Sequence, residues 1–212
     1  MPQPEKSIPA WPKGLIALGG NMGSGAGAPE ATLAAGLAAL ETESVRIVKI
    51  SRFYHTPSMP EGSGPEFVNA VVEIATDLSA TALLARLHGI EARFGRERRI
   101  RWAPRTLDLD LLDLDGAVLP DVAVQARWMG LTPEAQAREV PDRTILPHPR
   151  IQDRAFVLVP LAEIAPDWRH PVSGQTAQEM LAALPAAEIA GISPFSGPWS
   201  GVSALVKTYP SQ

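Results

Sequence analysis

The sequence has no cysteine among its 212 residues. That removes a disulfide framework, thiolate metal sites and a cysteine nucleophile together, and leads us to expect a reducing, cytoplasmic setting. No run approaches the ~18 apolar residues of a membrane span. The opening MPQPEKSIPAWPKG carries no apolar core of the signal-peptide kind, so no membrane partner is expected. Aromatic residues make up 6% and the net charge is −4, a poor balance for a surface that coats nucleic acid, and no nucleic-acid partner is expected. There is no G-x-x-x-x-G-K-[ST] loop, no serine with a plausible base, and no metal-type spacing among the four histidines.

What is present is a 45% hydrophobic chain, enough for one core. Its charge is unevenly placed. Fifteen of the nineteen basic residues are arginine, and six of those lie between Arg93 and Arg105. The pattern predicts a strand at Gly14–Asn21, a helix at Pro29–Thr42, strand-like alternation over Ser44–Thr56 and a strand at Glu66–Thr76. A helix follows at Ser79–Gly95, N-capped by Ser79 and stopped by Gly95, then a strand in TLDLDLLDLDG. Pro57–Pro65 reads as a loop and candidate lid. Ala155–Leu161 is a short apolar run before helical material, and TAQEMLAALPAAE reads as a last helix.

The order β-α-β-β-α-β predicts an α+β, ferredoxin-like antiparallel sheet with helices packed on one face, the other face being left for a ligand or extra elements. A flexible arm (1–13), a single domain (14–193) with a helical insertion (118–140) and a C-terminal extension (194–212) complete the expected layout.

In RWAPRTLDLDLLDLDG, strand alternation puts Asp108 and Asp110 on one face and Leu107, Leu109 and Leu111 on the other. The carboxylates then stand roughly 7 Å apart at the α-carbon, close enough to share one or two hard cations with phosphate oxygens. Asp113 and Asp115 fall on the other parity and read as a turn with Gly116. Six clustered arginines would repel one another unless they meet phosphates, pair with the aspartates, or grip nucleic-acid backbone. GSGAGA fits G-x-G-x-x-A, but Ser51-Arg52 stands where a dinucleotide fold wants an acid, which leaves an NADP reading open and favours a simple turn. His148, between two prolines in LPHPR, is the histidine best placed to meet a ligand.

RWAPRTLDLDLL resembles the R-W-G/A-P-R-x-x-D-L-D signature of the 6-hydroxymethyl-7,8-dihydropterin pyrophosphokinase family of folate biosynthesis. IALGGNMG is similar to its opening, with Gly20 in place of the usual serine. SRFYHTPSMPEGSGPEFVNAVV and LPHPRIQDRAFVLVPLAEIAPDWRHP resemble two further blocks. The resemblance implies transfer of the β,γ-pyrophosphoryl group of ATP to the pterin hydroxymethyl oxygen, giving AMP. By resemblance Asp108 and Asp110 would hold two Mg²⁺ ions, and Arg96 and Arg105 would be catalytic. Glu91, Arg98, Arg101, His148 and Arg154 would lie on the ATP side. Asn69 would read the pterin edge, Phe67 and Phe156 would sandwich its ring, Thr56, Pro57 and Met59 would line the pocket, and Trp102 would close over it. The partners implied are these two small molecules, with a monomer favoured. Ala103 replaces a frequent glycine, and Ile145 a frequent threonine. The rivals are an RNA-binding module of the same topology and an NADP-dependent oxidoreductase.

Overall fold

The apolar run at the head of the domain forms β1 (Lys13–Gly20), and its neighbours on both sides come from far along the chain. The structure, a computed structural model, describes residues 11–58, 64–95, 105–132, 135 and 138–196. After β1 come α1 (Pro29–Leu40), β2 (Val45–Ile50), β3 (Tyr54–Thr56), β4 (Phe67–Thr76), α2 (Ala80–Arg93) and β5 (Asp108–Leu114). The sheet runs β5-β1-β4-β3-β6, with β2 also on β4, and every pairing is antiparallel. β6 is the two-residue strand Ser193–Pro194.

The strand expected over Ser44–Thr56 is two strands. Ser51 breaks it by turning inward, where its Oγ accepts from Val71 N at 3.0 Å and donates to Arg52 O at 2.8 Å. The boundaries of α2 were legible from its caps. Ser79 Oγ accepts from Ala82 N, and Gly95 ends α2 at φ +81°, a conformation that costs glycine little. The turn read at the end of β5 is also present, with Asp115 and Gly116 both at positive φ.

Side-chain alternation divides the core in two. Ile16, Leu18, Val72, Leu107 and Leu109 face α1 and α2, where they meet Leu33, Leu37, Leu83 and Leu87. Leu15, Val71 and Leu112 face the other way. That second face, left for extra elements by the sequence pattern, is covered by α4 (Ala155–Ile164) and α5 (Ala177–Ala183), through Val157, Leu158, Leu161 and Met180. The Ala155–Leu161 run is therefore helix, and Phe156 stands on a helix rather than a strand. Pro160 inside α4 conceals the helix from propensity, because a proline at that place removes a backbone donor. The expected last helix is also split: α5 carries a Thr176/Glu179 capping box, and Pro185 starts α6 (Ala186–Ala190). Within the insertion, α3 (Val122–Met129) is capped by Asp121, whose carboxylate accepts from Val124 N at 2.9 Å.

Among the described residues every strand pairing is antiparallel and there is no parallel βαβ crossover, which argues against the dinucleotide-binding rival. The GSGAGA stretch instead closes a tight turn, with Ser24 and Gly27 exchanging backbone hydrogen bonds of 2.9 and 3.0 Å. Helices α4 and α5 pack on the second face, where an RNA-binding module would present an open sheet for stacking bases.

Both faces being core has a measurable consequence. Leu87→Ala and Leu158→Ala, one fully buried leucine on each face, should each lower unfolding stability by about 2–5 kcal/mol in urea titrations. A loss below about 1 kcal/mol for Leu158→Ala would mean that the α4 layer is accessory, since a full cavity costs more.

Candidate active site

One row across the sheet organises the site. Asp108 lies opposite Gly19, Gly19 opposite Asn69, and Asn69 opposite Tyr54. Val71 belongs to the α4 face and Ala17 packs against it there; Ala17 lies opposite both Val71 and Asp110, so Asp110, Asp108, Phe67 and Asn69, at matching parity, face α4 too. Gly19 lets this row exist: a methyl group there would stand 2.6 Å from Asn69 Oδ1. Asn69 is buried, and its Nδ2 donates to Thr56 Oγ1 at 2.6 Å.

The carboxylates of Asp108 and Asp110 are met by arginines from two directions. Arg105 Nη1 contacts Asp108 Oδ2, and Arg154 Nη1 lies 3.5 Å from Asp110 Oδ2. The alternative in which arginines pair internally with the aspartates is thus realised at Arg105–Asp108. Arg154 is the N-cap residue of α4, and its guanidinium lies 5.6 Å from the centre of the Phe156 ring. Phe156 itself is 39% exposed.

His148 closes the same side. Its backbone N–H donates to Leu112 O at 2.7 Å, tying its turn to the open edge of β5. Its Nδ1 accepts from Arg150 N at 3.1 Å, so the neutral ring carries its proton on Nε2. Burial, with Arg154 and Arg150 nearby, pushes its pKa down to about 3. The ring is therefore a neutral donor at physiological pH, not a cation.

Glu91 takes an indirect place. It is 1% exposed, and its Oε1 accepts from Leu109 N at 2.8 Å. Leu109 sits between the two aspartates on the outer edge of the sheet, where strand N–H groups lack a neighbouring strand. Glu91 therefore holds β5 from the α2 side. Pro57 packs near Gly191, where a methyl group would stand 2.7 Å from Pro57 Cγ. Met59, Arg96, Arg98, Arg101 and Trp102 lie outside the described residues, as does Ala103.

Sequence reasoning passed over Asn21 as a working residue. It is buried; its Oδ1 accepts from Arg105 N at 2.9 Å, and its Nδ2 donates to Pro65 O at 3.3 Å. Its own N–H donates to Arg105 O at 3.0 Å. One side chain thus joins the end of β1 to the ends of both loops singled out in the sequence. The available signal was a lone asparagine directly after Gly19-Gly20 at a strand end.

Residues 15–166 match the family model described as 7,8-dihydro-6-hydroxymethylpterin-pyrophosphokinase (HPPK). The chain is 38% identical over 173 residues to the 2-amino-4-hydroxy-6-hydroxymethyldihydropteridine pyrophosphokinase of Methylorubrum extorquens, covering 81% of this chain and 93% of that one. It is 38% identical over 171 residues to the protein of the same name from Pseudomonas aeruginosa, covering 80% and 90%. Among solved structures, an HPPK-DHPS in complex with substrates superposes at a TM-score of 0.61 and 12% identity over 87% of this chain. A Plasmodium falciparum wild-type HPPK-DHPS with STZ-DHP superposes at 0.58 with 13% identity over 84%. The chain spans 46% and 44% of the length of those two proteins, and the likeness to them concerns the fold.

The state of His148 can be read from stability. The unfolded ring protonates below about 6.5 and the folded ring only near 3. Its contribution is whole above about 6.5 and is lost as pH falls from there toward 3. In EDTA, the melting temperature of the unmodified protein should fall more steeply between pH 6.5 and 4 than that of His148→Gln. Parallel curves would show that the ring is solvated and charges normally.

Proposed function

The chain belongs to the 7,8-dihydro-6-hydroxymethylpterin-pyrophosphokinase family of folate synthesis, and on that premise we propose which of its residues carry out the pyrophosphoryl transfer. The observation that carries the reading is the facing of two carboxylates on β5 by Arg105 and Arg154 at the mouth of α4.

Asp108 and Asp110 are the residues that would hold Mg²⁺, two ions in the reading adopted. No cluster of three or more His, Asp or Glu side chains suited to a metal occurs among the described residues. Two carboxylates fit Mg²⁺, which keeps water and takes substrate phosphate oxygens for the rest of its shell. When bound, Mg²⁺ neutralises and orients the triphosphate.

The chain's own groups do the remainder. The Arg105 and Arg154 pairs with aspartate are partly exposed, and such pairs are worth about 0–1 kcal/mol. They therefore exchange readily for charge-assisted, forked contacts to phosphate. Arg105, with Arg96, would steady the charge at the β-phosphorus as the pterin hydroxymethyl oxygen attacks it. The bond from that phosphorus to the α-bridging oxygen breaks, AMP leaves, and the hydroxyl proton passes to solvent or a phosphate oxygen. His148 would donate Nε2–H to a phosphate oxygen, its neutrality sparing a desolvated charge. Arg98 and Arg101 complete the nucleotide side in this reading. Glu91 contributes by holding Leu109, and through it the two aspartates.

On the pterin side, Thr56 Oγ1 occupies Asn69 Nδ2 and orients the amide. The open face of Gly19 leaves Asn69 Oδ1 to accept from an N–H of the ring edge. Phe67 and Phe156 supply stacking faces, with Thr56, Pro57 and Met59 shaping the pocket and Trp102 closing it. The exposure of Phe156 is what such a face requires before a ring arrives.

Asp110→Asn should reduce turnover on the order of 10³-fold, as the loss of a pre-positioned electrostatic partner does. Its unfolding midpoint should stay near that of the unmodified protein, because Asp110 is only partly buried. A variant that loses both would mark the aspartate as structural. With MgATP and the hydroxymethyl pterin, ³¹P NMR should show AMP and a pterin diphosphate ester. Accumulation of ADP would mean single-phosphate transfer and would end this assignment.

A further inference from the structure

The insertion at 118–140 has no part in the reaction as described, yet it reaches the turn that carries His148. Gln125, on α3, is fully buried, and its Nε2 donates to Pro147 O at 2.6 Å. Leu119 and Leu146 exchange two backbone hydrogen bonds, of 2.8 and 3.1 Å, which tie the start of the insertion to the same turn. Trp128 is buried one helical turn further along α3.

The carbonyl of Pro147 and the N–H of His148 belong to one planar peptide unit. Gln125 holds its oxygen, and Leu112 O, on the metal-face strand, holds its N–H at 2.7 Å. A plane gripped at both ends cannot rotate about its flanking bonds. Its orientation sets the N–Cα axis from which the His148 side chain departs, and the bond from Arg150 N to Nδ1 sets the ring, so that together they decide where the Nε2–H points. A buried amide aimed at a turn carbonyl is an expensive way merely to fill space, since a hydrocarbon side chain would do that without a polar group to satisfy.

We propose that Gln125 is a positioning residue for nucleotide binding, aligning His148 by clamping the Pro147–His148 peptide plane from the insertion helix. The proposal rests on the reading of His148 as a phosphate contact. It assigns the insertion a role in the pyrophosphokinase reaction: α3 braces the nucleotide side of the cleft without touching the nucleotide.

The test is a double-mutant cycle on the full chain with Mg²⁺ and a non-hydrolysable ATP analogue, read by calorimetry. Gln125→Met, close in volume but with no donor, should weaken nucleotide binding about tenfold, a loss worth about 1.4 kcal/mol. Binding of the pterin alone should be unchanged. His148→Ala should weaken nucleotide binding as well, and the double variant no further than His148→Ala alone. Unchanged affinity in Gln125→Met, or losses that multiply in the double variant, would overturn the proposal. If His148→Ala binds nucleotide normally, the phosphate reading of His148 falls by itself. The brace is then judged by the imidazole resonances of His148, which Gln125→Met shifts if the clamp is real and leaves in place if it is not. Should Gln125→Met fail to fold, Gln125→Asn, one methylene short of Pro147 O, serves in its place. An NMR spectrum that otherwise matches the unmodified protein confirms that the variant is native.

Discussion

Charge compensation on one face of β5 is the constraint on which the site depends. Two aspartates at i and i+2 point the same way, and each needs a cationic partner in the fold. Arg105 and Arg154 supply it, from the loop before β5 and from the head of α4. The pairs are weak enough to exchange, because they are partly exposed and contribute about 0–1 kcal/mol each. In the proposed reaction the same four groups divide between metal and phosphate. The site is thereby kept neutral in two different ways by one set of side chains.

The remaining architecture serves that face. The sheet is packed on both sides, so β5 lies at an edge yet is held firmly. Glu91 and His148 take up two of its edge groups, at Leu109 N and Leu112 O. Gly19 clears the space between Asp108 and Asn69, allowing acidic and amide groups to share a row. Asn21 links both flanking loops to the end of β1. In the proposed reaction none of these residues performs bond chemistry. In a pyrophosphoryl transfer most of the barrier reduction comes from position and charge, which is what such residues set.

Much of this was legible in the sequence, and for physical reasons. Alternation in DLDLL placed the aspartates, caps at Ser79 and Gly95 bounded α2, and order alone indicated an antiparallel sheet. α4 was harder to read because Pro160 and a uniformly apolar composition hide its helical period. The break at Ser51 was hidden because one inward hydroxyl, which accepts from Val71 N twenty residues away, interrupts a good strand pattern. Glu91 could be put on the ATP side by resemblance, but not on a strand N–H, since that bond joins residues eighteen apart. Gln125 gave no signal at all: a polar residue in a mildly helical insertion looks solvent-facing until the turn it supports is seen.

The most direct measurement is a crystal structure of the protein with Mg²⁺ and a non-hydrolysable ATP analogue. The account predicts that carboxylate oxygens of Asp108 and Asp110 bind the cation, while Arg105 and Arg154 have turned from them to phosphate oxygens. Bound nucleotide with both carboxylates still on their arginines, and no cation against either, would contradict it.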